Sequence, residues 1–176
     1  RLGVKRMERT GVITMKGNPL TLVGPELKPN DKAPDFSVVD QNLAPRKLGD
    51  FEGMTKVFSV TPSLDTPICD LQIHWFNENV TNLSENTVVI NMSMDLPFAI
   101  RRFCAASGID RAIALSDHRD ASFGSAWGVL IKELRLLARS IFIVDSENTV
   151  RYVQIVPEQS DEPDYEDAVR FLRTLL

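Results

Sequence analysis

Residues 61–70, TPSLDTPICD, place Cys69, one of only two cysteines in the chain, just behind two prolines and a threonine. The apolar run before them, residues 56–62, has the composition of a strand that ends near Pro62. Asp65 or Thr66 can then cap a helix whose first position is filled by Pro67. Cys69 falls in the first turn of that helix, where unpaired backbone N–H groups and the positive end of the helix dipole favour a thiolate over a thiol. The chemistry such a residue can do is nucleophilic attack or thiol redox exchange.

Thiolate supply alone does not make such a site efficient. A free thiol of pKa about 8.5 is roughly 3% ionised at pH 7, and lowering it to about 6 gives some thirtyfold more thiolate. The accompanying loss of nucleophilicity, with a Brønsted slope of about 0.45, returns all but about twofold of that gain. The site must also orient the substrate and stabilise charge on the leaving atom, which requires fixed donors: a hydroxyl, backbone N–H groups and a cation. The competing reading is that Cys69 and Cys104 are buried small hydrophobes, the usual state of free cysteines.

Whole-chain composition narrows the classes. At 176 residues and 43% hydrophobic, the chain suits one globular domain. A net charge of −4 gives no electrostatic reason to bind nucleic acid or an anionic membrane. No apolar run reaches the roughly 20 residues of a membrane helix. The basic N-terminus lacks the apolar stretch of a secretory signal, so a cytoplasmic location is expected. Two cysteines are too few for a disulfide framework, and no Cys/His cluster has zinc spacing, so no metal is expected.

The elements that must position Cys69 are legible as alternating patterns. Residues 10–24 alternate on both sides of Gly17-Asn18-Pro19, the signature of a separate β-hairpin. Residues 1–9 read as a flexible extension, with 1–6 excluded from fold reasoning, and 10–176 as a single domain. Residues 25–34 read as a surface connector. Strand-like runs follow at 35–40, 56–62, 86–94, 111–115, 139–145 and 149–156, the last two joined by a turn at 146–148. Helical spacing is expected after Cys69 (Leu71, Trp75, Phe76, Val80, Leu83), from Pro97 through Ile100, Phe103 and Cys104, over 121–127, and over 164–176. Strand–helix–strand units closed by a hairpin and a helix describe an α/β thioredoxin-like fold: a mixed central sheet flanked by helices, with an N-terminal hairpin extension.

Pro62, Thr66 and Cys69 match the peroxiredoxin pattern PxxxTxxC. The segments GNPLTLVG, DLPFAIRRFC, ALSDHRD, LLARSIFIVD and EPDY extend the likeness over about residues 11–176, and the chain resembles the bacterial thiol peroxidase branch of that family. The resemblance implies that Cys69 is the peroxidatic cysteine, attacking a peroxide oxygen and becoming a sulfenic acid. It implies that Thr66 supplies a hydroxyl to sulfur and substrate, that Arg139 holds the thiolate and polarises the peroxide, and that Pro62 shields the pocket. Cys104 then matches the resolving cysteine, which forms an intramolecular disulfide that thioredoxin reduces. Hydrogen peroxide and organic hydroperoxides are the implied substrates, with no metal, flavin or haem cofactor, in a homodimer. The alternative is a thioredoxin-fold redox sensor or binding module that switches a partner without turnover.

Cysteines on two separate helices need local unwinding before a disulfide can close, because their Cα atoms must approach within about 7 Å. Without the resemblance, Arg139 reads as a solvated strand start, and Cys104 reads equally as core or as a functional thiol. Arg101-Arg102, residues 117–120 and the acidic loop 157–164 read as solvated, His74 and His118 as surface or packing residues, and Trp75, Phe76 and Phe98 as core or pocket lining.

Overall fold

The computed structural model describes residues 7–176. The N-terminal hairpin is β1 (Glu8–Met15) and β2 (Asn18–Val23), followed by the short β3 (Val38–Val39) and β4 (Pro45–Arg46). The core then runs β5 (Thr55–Val60), α1 (Pro67–Asn79), β6 (Thr87–Ser93), α2 (Pro97–Ser107), β7 (Ile113–Ser116) and α3 (Ser122–Trp127). A small hairpin, β8 (Leu130–Ile131) and β9 (Leu136–Leu137), precedes β10 (Ser140–Val144), β11 (Val150–Ile155) and α4 (Tyr165–Arg173).

Seven strands form the main sheet in the order β11-β10-β5-β6-β7-β3-β4. Its central trio β5, β6 and β7 is parallel, and β10 and β11 join antiparallel, giving the mixed sheet and thioredoxin-like fold expected. The first hairpin pairs with β8 and β9 in a separate four-stranded antiparallel sheet.

Strand alternation divides the core into two layers. Phe58 and Val60, Val88, Ile90 and Met92, and Phe142 and Val144 face a layer filled by Phe36, Phe123 and Trp127. Trp127 lies 4.7 Å from both Phe58 and Phe123 between ring centroids, so one indole joins α3 to the sheet. The alternate residues Val57, Val89, Ile141 and Ile143 face Ile73, Phe76, Ile100, Ala168 and Leu172 of α1, α2 and α4. On that second face the strand ends turn polar: Ser59, Thr61, Asn91 and Ser93 are all buried. The helix of Cys69, α1, meets this polar patch through Gln72, which donates to Ser59 Oγ.

Several expectations are corrected. β1 begins at Glu8, inside the expected extension, because the Arg9 guanidinium bonds the carbonyls of Gly24 and Gly128 at 2.9 and 3.0 Å. Residues 1–6 lie outside the described residues. The expected strand over 35–40 shrinks to Val38–Val39, since β3 has only a single-residue pairing with β7. Ala121 is not helical; it takes a left-handed φ of 49° ahead of α3. Leu71 faces solvent, and the buried face of α1 is instead Cys69, Gln72, Ile73, Phe76 and Asn77. Of the two readings for Phe98, core or pocket lining, the structure supports the second: it is 63% exposed and lines a groove.

Candidate active site

The chain leaves β5 at Val60 and reaches α1 through a short turn. Pro62 is buried there, and Thr66 stands at the helix N-cap in extended conformation, with Pro67 as the first helical residue. The first helical hydrogen bond runs from Asp70 N to Thr66 O at 2.9 Å. Proline has no N–H, so the orphan donors of this helix start are the Ile68 and Cys69 amides. Cys69, three residues into α1, is a free thiol with no exposed surface. Thr66 caps by position only: its hydroxyl donates to Ser63 O at 3.2 Å.

Arg139 precedes β10 and shares the face of Ile141, two residues on, which is the face α1 covers. Far from being a solvated strand end, it is 3% exposed. Nη1 donates to Gln72 Oε1 at 3.1 Å and Nε to the Gln159 carbonyl at 3.1 Å, while its own amide donates to Gln159 Oε1 at 2.5 Å. Gln72 sits one helical turn after Cys69, and its amide nitrogen donates to Ser59 Oγ at 2.9 Å, which fixes the orientation of Oε1 towards the guanidinium. Among the described residues Arg139 pairs with no carboxylate. A buried guanidinium held only by neutral amides is costly to keep unless an anion comes to it.

Tyr165, the first residue of α4, closes another side. Its ring stacks on Trp75 at 4.6 Å and meets Phe76 edge-on at 5.8 Å. Burial raises its phenol pKa, Glu162 and Cys69 raise it further, and Arg139 pulls the other way, so Tyr165 shares one electrostatic neighbourhood with Cys69 and Arg139.

Cys104 lies on α2, 5% exposed, in the apolar cluster that holds Leu64, Ile73, Phe76 and Ile100. Burial pushes its thiol up, away from ionisation. The two cysteines thus differ in setting: one at a helix start, the other in an apolar layer. A groove of about 690 Å³ separates the Ser63–Leu64–Asp65 turn from the α2 side chains Phe98, Arg102 and Phe103. His74 of α1 lies 3.1 Å from Asp70 Oδ1, with its ring 6.4 Å from that of Phe103 on α2.

Two polar segments read as solvated are also corrected. Asp117 is 1% exposed and its carboxylate accepts from the Phe123 and Gly124 amides at 2.9 and 2.8 Å, capping α3. In the loop 157–164, Gln159 and Pro163 are buried, and the Glu158 carboxylate accepts from Gly17 N of the first hairpin at 2.7 Å. Gln72 and Gln159 are the residues of this site that sequence reasoning did not select. For Gln72 a signal existed: a glutamine three positions after Cys69, in the row continued by Ile73 and Phe76, is on the buried face of the helix.

A sheet of this topology, with a cysteine at the β5–α1 junction and a buried arginine bonded to Gln72 one helical turn further on, defines the class. The Redoxin family model matches residues 28–169, and the chain belongs to that family. The thiol peroxidase of Listeria innocua serovar 6a is 53% identical over 157 residues, covering 89% of this chain and 94% of that one. The thiol peroxidase of Bacillus subtilis is 48% identical over 164 residues, covering 93% of this chain and 98% of its own length. A peroxiredoxin-like protein from Aquifex aeolicus superposes with a TM-score of 0.88 at 41% identity, covering 97% of this chain and 99% of that one. Within the Redoxin family the chain is a thiol-dependent peroxidase of the peroxiredoxin type.

Proposed function

We propose that the enzyme reduces hydrogen peroxide and organic hydroperoxides through Cys69 and is recycled by thioredoxin. The observation that carries the assignment of roles is the buried Arg139, paired with no carboxylate among the described residues and tied through Gln72 to the same helical face as the solvent-hidden Cys69. The Cys69 thiolate attacks one peroxide oxygen; the O–O bond breaks, and the leaving oxygen departs as water or alcohol after taking a proton, with sulfur becoming a sulfenic acid. Arg139 stabilises first the thiolate and then the charge on the leaving oxygen. The Thr66 hydroxyl releases Ser63 O to bond the substrate oxygen, and Pro62 closes the floor of the pocket against water.

Cys104 then acts as resolving thiol. Its sulfur displaces the sulfenic oxygen, forming a Cys69–Cys104 disulfide and releasing water. Thioredoxin reduces the disulfide by thiol–disulfide exchange. A homodimer in a reducing compartment such as the cytoplasm suits this cycle. The turn carrying Cys69 unwinds towards α2 for the sulfurs to meet, since both cysteines sit within packed helices.

The experiment is a peptide map of protein treated with one equivalent of hydrogen peroxide. A Cys69–Cys104 disulfide in wild type, and a trapped Cys69 sulfenic acid in Cys104→Ser, support the roles. Equal hydrogen-exchange protection of residues 62–70 and 97–107 in reduced and oxidised protein would count against the unwinding step.

A further inference from the structure

The groove between the Cys69 turn and α2 is bridged at one point. Asp95, in the β6–α2 turn, accepts from Ser63 Oγ through Oδ1 and from Leu64 N through Oδ2, both at 2.7 Å. Ser63 and Leu64 lie in the turn between Pro62 and Thr66, whereas Asp95 lies two residues before α2, the helix of Cys104. The carboxylate is itself anchored from the sheet: Ser93 Oγ donates to Oδ2 at 3.3 Å, the Asp95 amide donates back to Ser93 Oγ at 3.3 Å, and Ser116 Oγ donates to the Asp95 carbonyl. Away from this bridge, Ser63, Leu64 and Asp65 face Phe98, Arg102 and Phe103 across open space.

We infer that Asp95 is a positioning residue whose carboxylate clasps the Cys69 turn in its wound, peroxide-reactive form and so sets how often the turn opens towards Cys104. The inference rests on the proposed resolving role of Cys104. The clasp exists only while Ser63 and Leu64 hold their present places, so its hydrogen bonds stabilise the wound form and not the unwound one. Sulfenic acid at Cys69 has two fates. In one, Cys104 displaces its oxygen as water to give the disulfide; in the other, a second hydroperoxide transfers an oxygen, leaving sulfinic acid and an alcohol or water. The clasp holds sulfur in the form open to the second fate and delays the first.

The test separates these fates in Asp95→Ala, with Asp95→Asn as the variant that keeps shape and one acceptor, and Ser63→Ala removing the same bond from the other side. Hydrogen peroxide is the oxidant, and single-turnover sulfenic acid formation, disulfide formation and sulfinic acid yield are followed by rapid quench and mass spectrometry. Loss of charge-assisted bonds of this kind shifts a two-state equilibrium by about tenfold. Disulfide formation, which draws on the minor unwound form, therefore becomes about tenfold faster in Asp95→Ala, and the sulfinic yield per turnover falls by the same factor. Asp95→Asn and Ser63→Ala change in the same direction by less. Attack on peroxide stays the same or slows. Disulfide formation that is unchanged, or that slows together with peroxide attack, overturns the clasp, as does an Asp95→Ala chain that fails to fold while Ser63→Ala behaves as wild type. If wild type forms no Cys69–Cys104 disulfide at all, the resolving role of Cys104 fails instead.

Discussion

Replacing Arg139 by methionine removes a charge while keeping a long, flexible side chain in its place. Two opposite unit charges about 5 Å apart, in surroundings of effective dielectric about 20, attract by about 3 kcal/mol. If that attraction operates in the transition state, where charge is shared between sulfur and the leaving oxygen, its loss slows oxidation of Cys69 by about a hundredfold. Stability should move differently. The methionine forfeits the bonds to Gln72 Oε1 and the Gln159 carbonyl, but it also removes a buried cation that pairs with no carboxylate among the described residues, a replacement that is often neutral or stabilising. The expected pair of results is a rate lower by about two orders of magnitude, measured by single-turnover oxidation with hydrogen peroxide, and a thermal midpoint no lower than wild type. Arg139→Lys keeps the charge but not the planar fork that reaches both glutamines, and should lie between. A methionine variant that oxidises within about threefold of wild type, or one that loses activity and stability together, would refute the placement of Arg139 as a cation reserved for chemistry.

Further outcomes follow from the same geometry. Gln159→Leu leaves the buried Arg139 amide without its side-chain acceptor and should cost about 1–3 kcal/mol in urea unfolding while slowing Cys69 oxidation; an unchanged unfolding midpoint would show the loop to be dispensable. Burial pushes the Asp117 carboxyl from 3.8 up to about 6, opposed by the Gly124, Phe123 and Ser122 amides. Because the folded state holds that proton more tightly than the unfolded chain, the contribution is full below about pH 4 and is lost as pH rises through about 6, by about 3 kcal/mol. The stability difference between wild type and Asp117→Asn should therefore shrink over that window, and a flat difference would contradict it. A Cβ at Gly128, whose φ is +70°, would lie 1.9 Å from the Pro25 carbonyl oxygen, so Gly128→Ala should lower the thermal midpoint strongly, whereas Gly53→Ala, with open space around it, should do so only through its positive φ.

The local part of the site was legible in the sequence because its rules are local. Pro62, Thr66, Pro67 and Cys69 lie within one strand-to-helix turn, and the preferences of a helix start place them without knowledge of the rest of the fold. The central strands were legible for a similar reason: runs such as KVFSV and SIFIV are buried on both faces and hence continuously apolar. What escaped was polar and long-range. Arg139 meets Gln72 across 67 residues and Gln159 across 20, and Asp95 meets Ser63 across 32. A glutamine in an acidic loop, or an aspartate in a charged tetrad such as 117–120, looks solvated until the fold supplies the amides that satisfy it. The same limit explains Leu71, which helical spacing counted as core although Gln72 takes the buried position beside it.

The most direct test of the account is sustained consumption of hydrogen peroxide by the reduced enzyme in the presence of thioredoxin and its reductase, for wild type, Cys69→Ser and Cys104→Ser. The account predicts many turnovers for wild type, none for Cys69→Ser, and a single equivalent followed by arrest for Cys104→Ser. Wild type that stops after about one equivalent would make the cysteines a switch without turnover, and Cys104→Ser that keeps pace with wild type would return Cys104 to the apolar core.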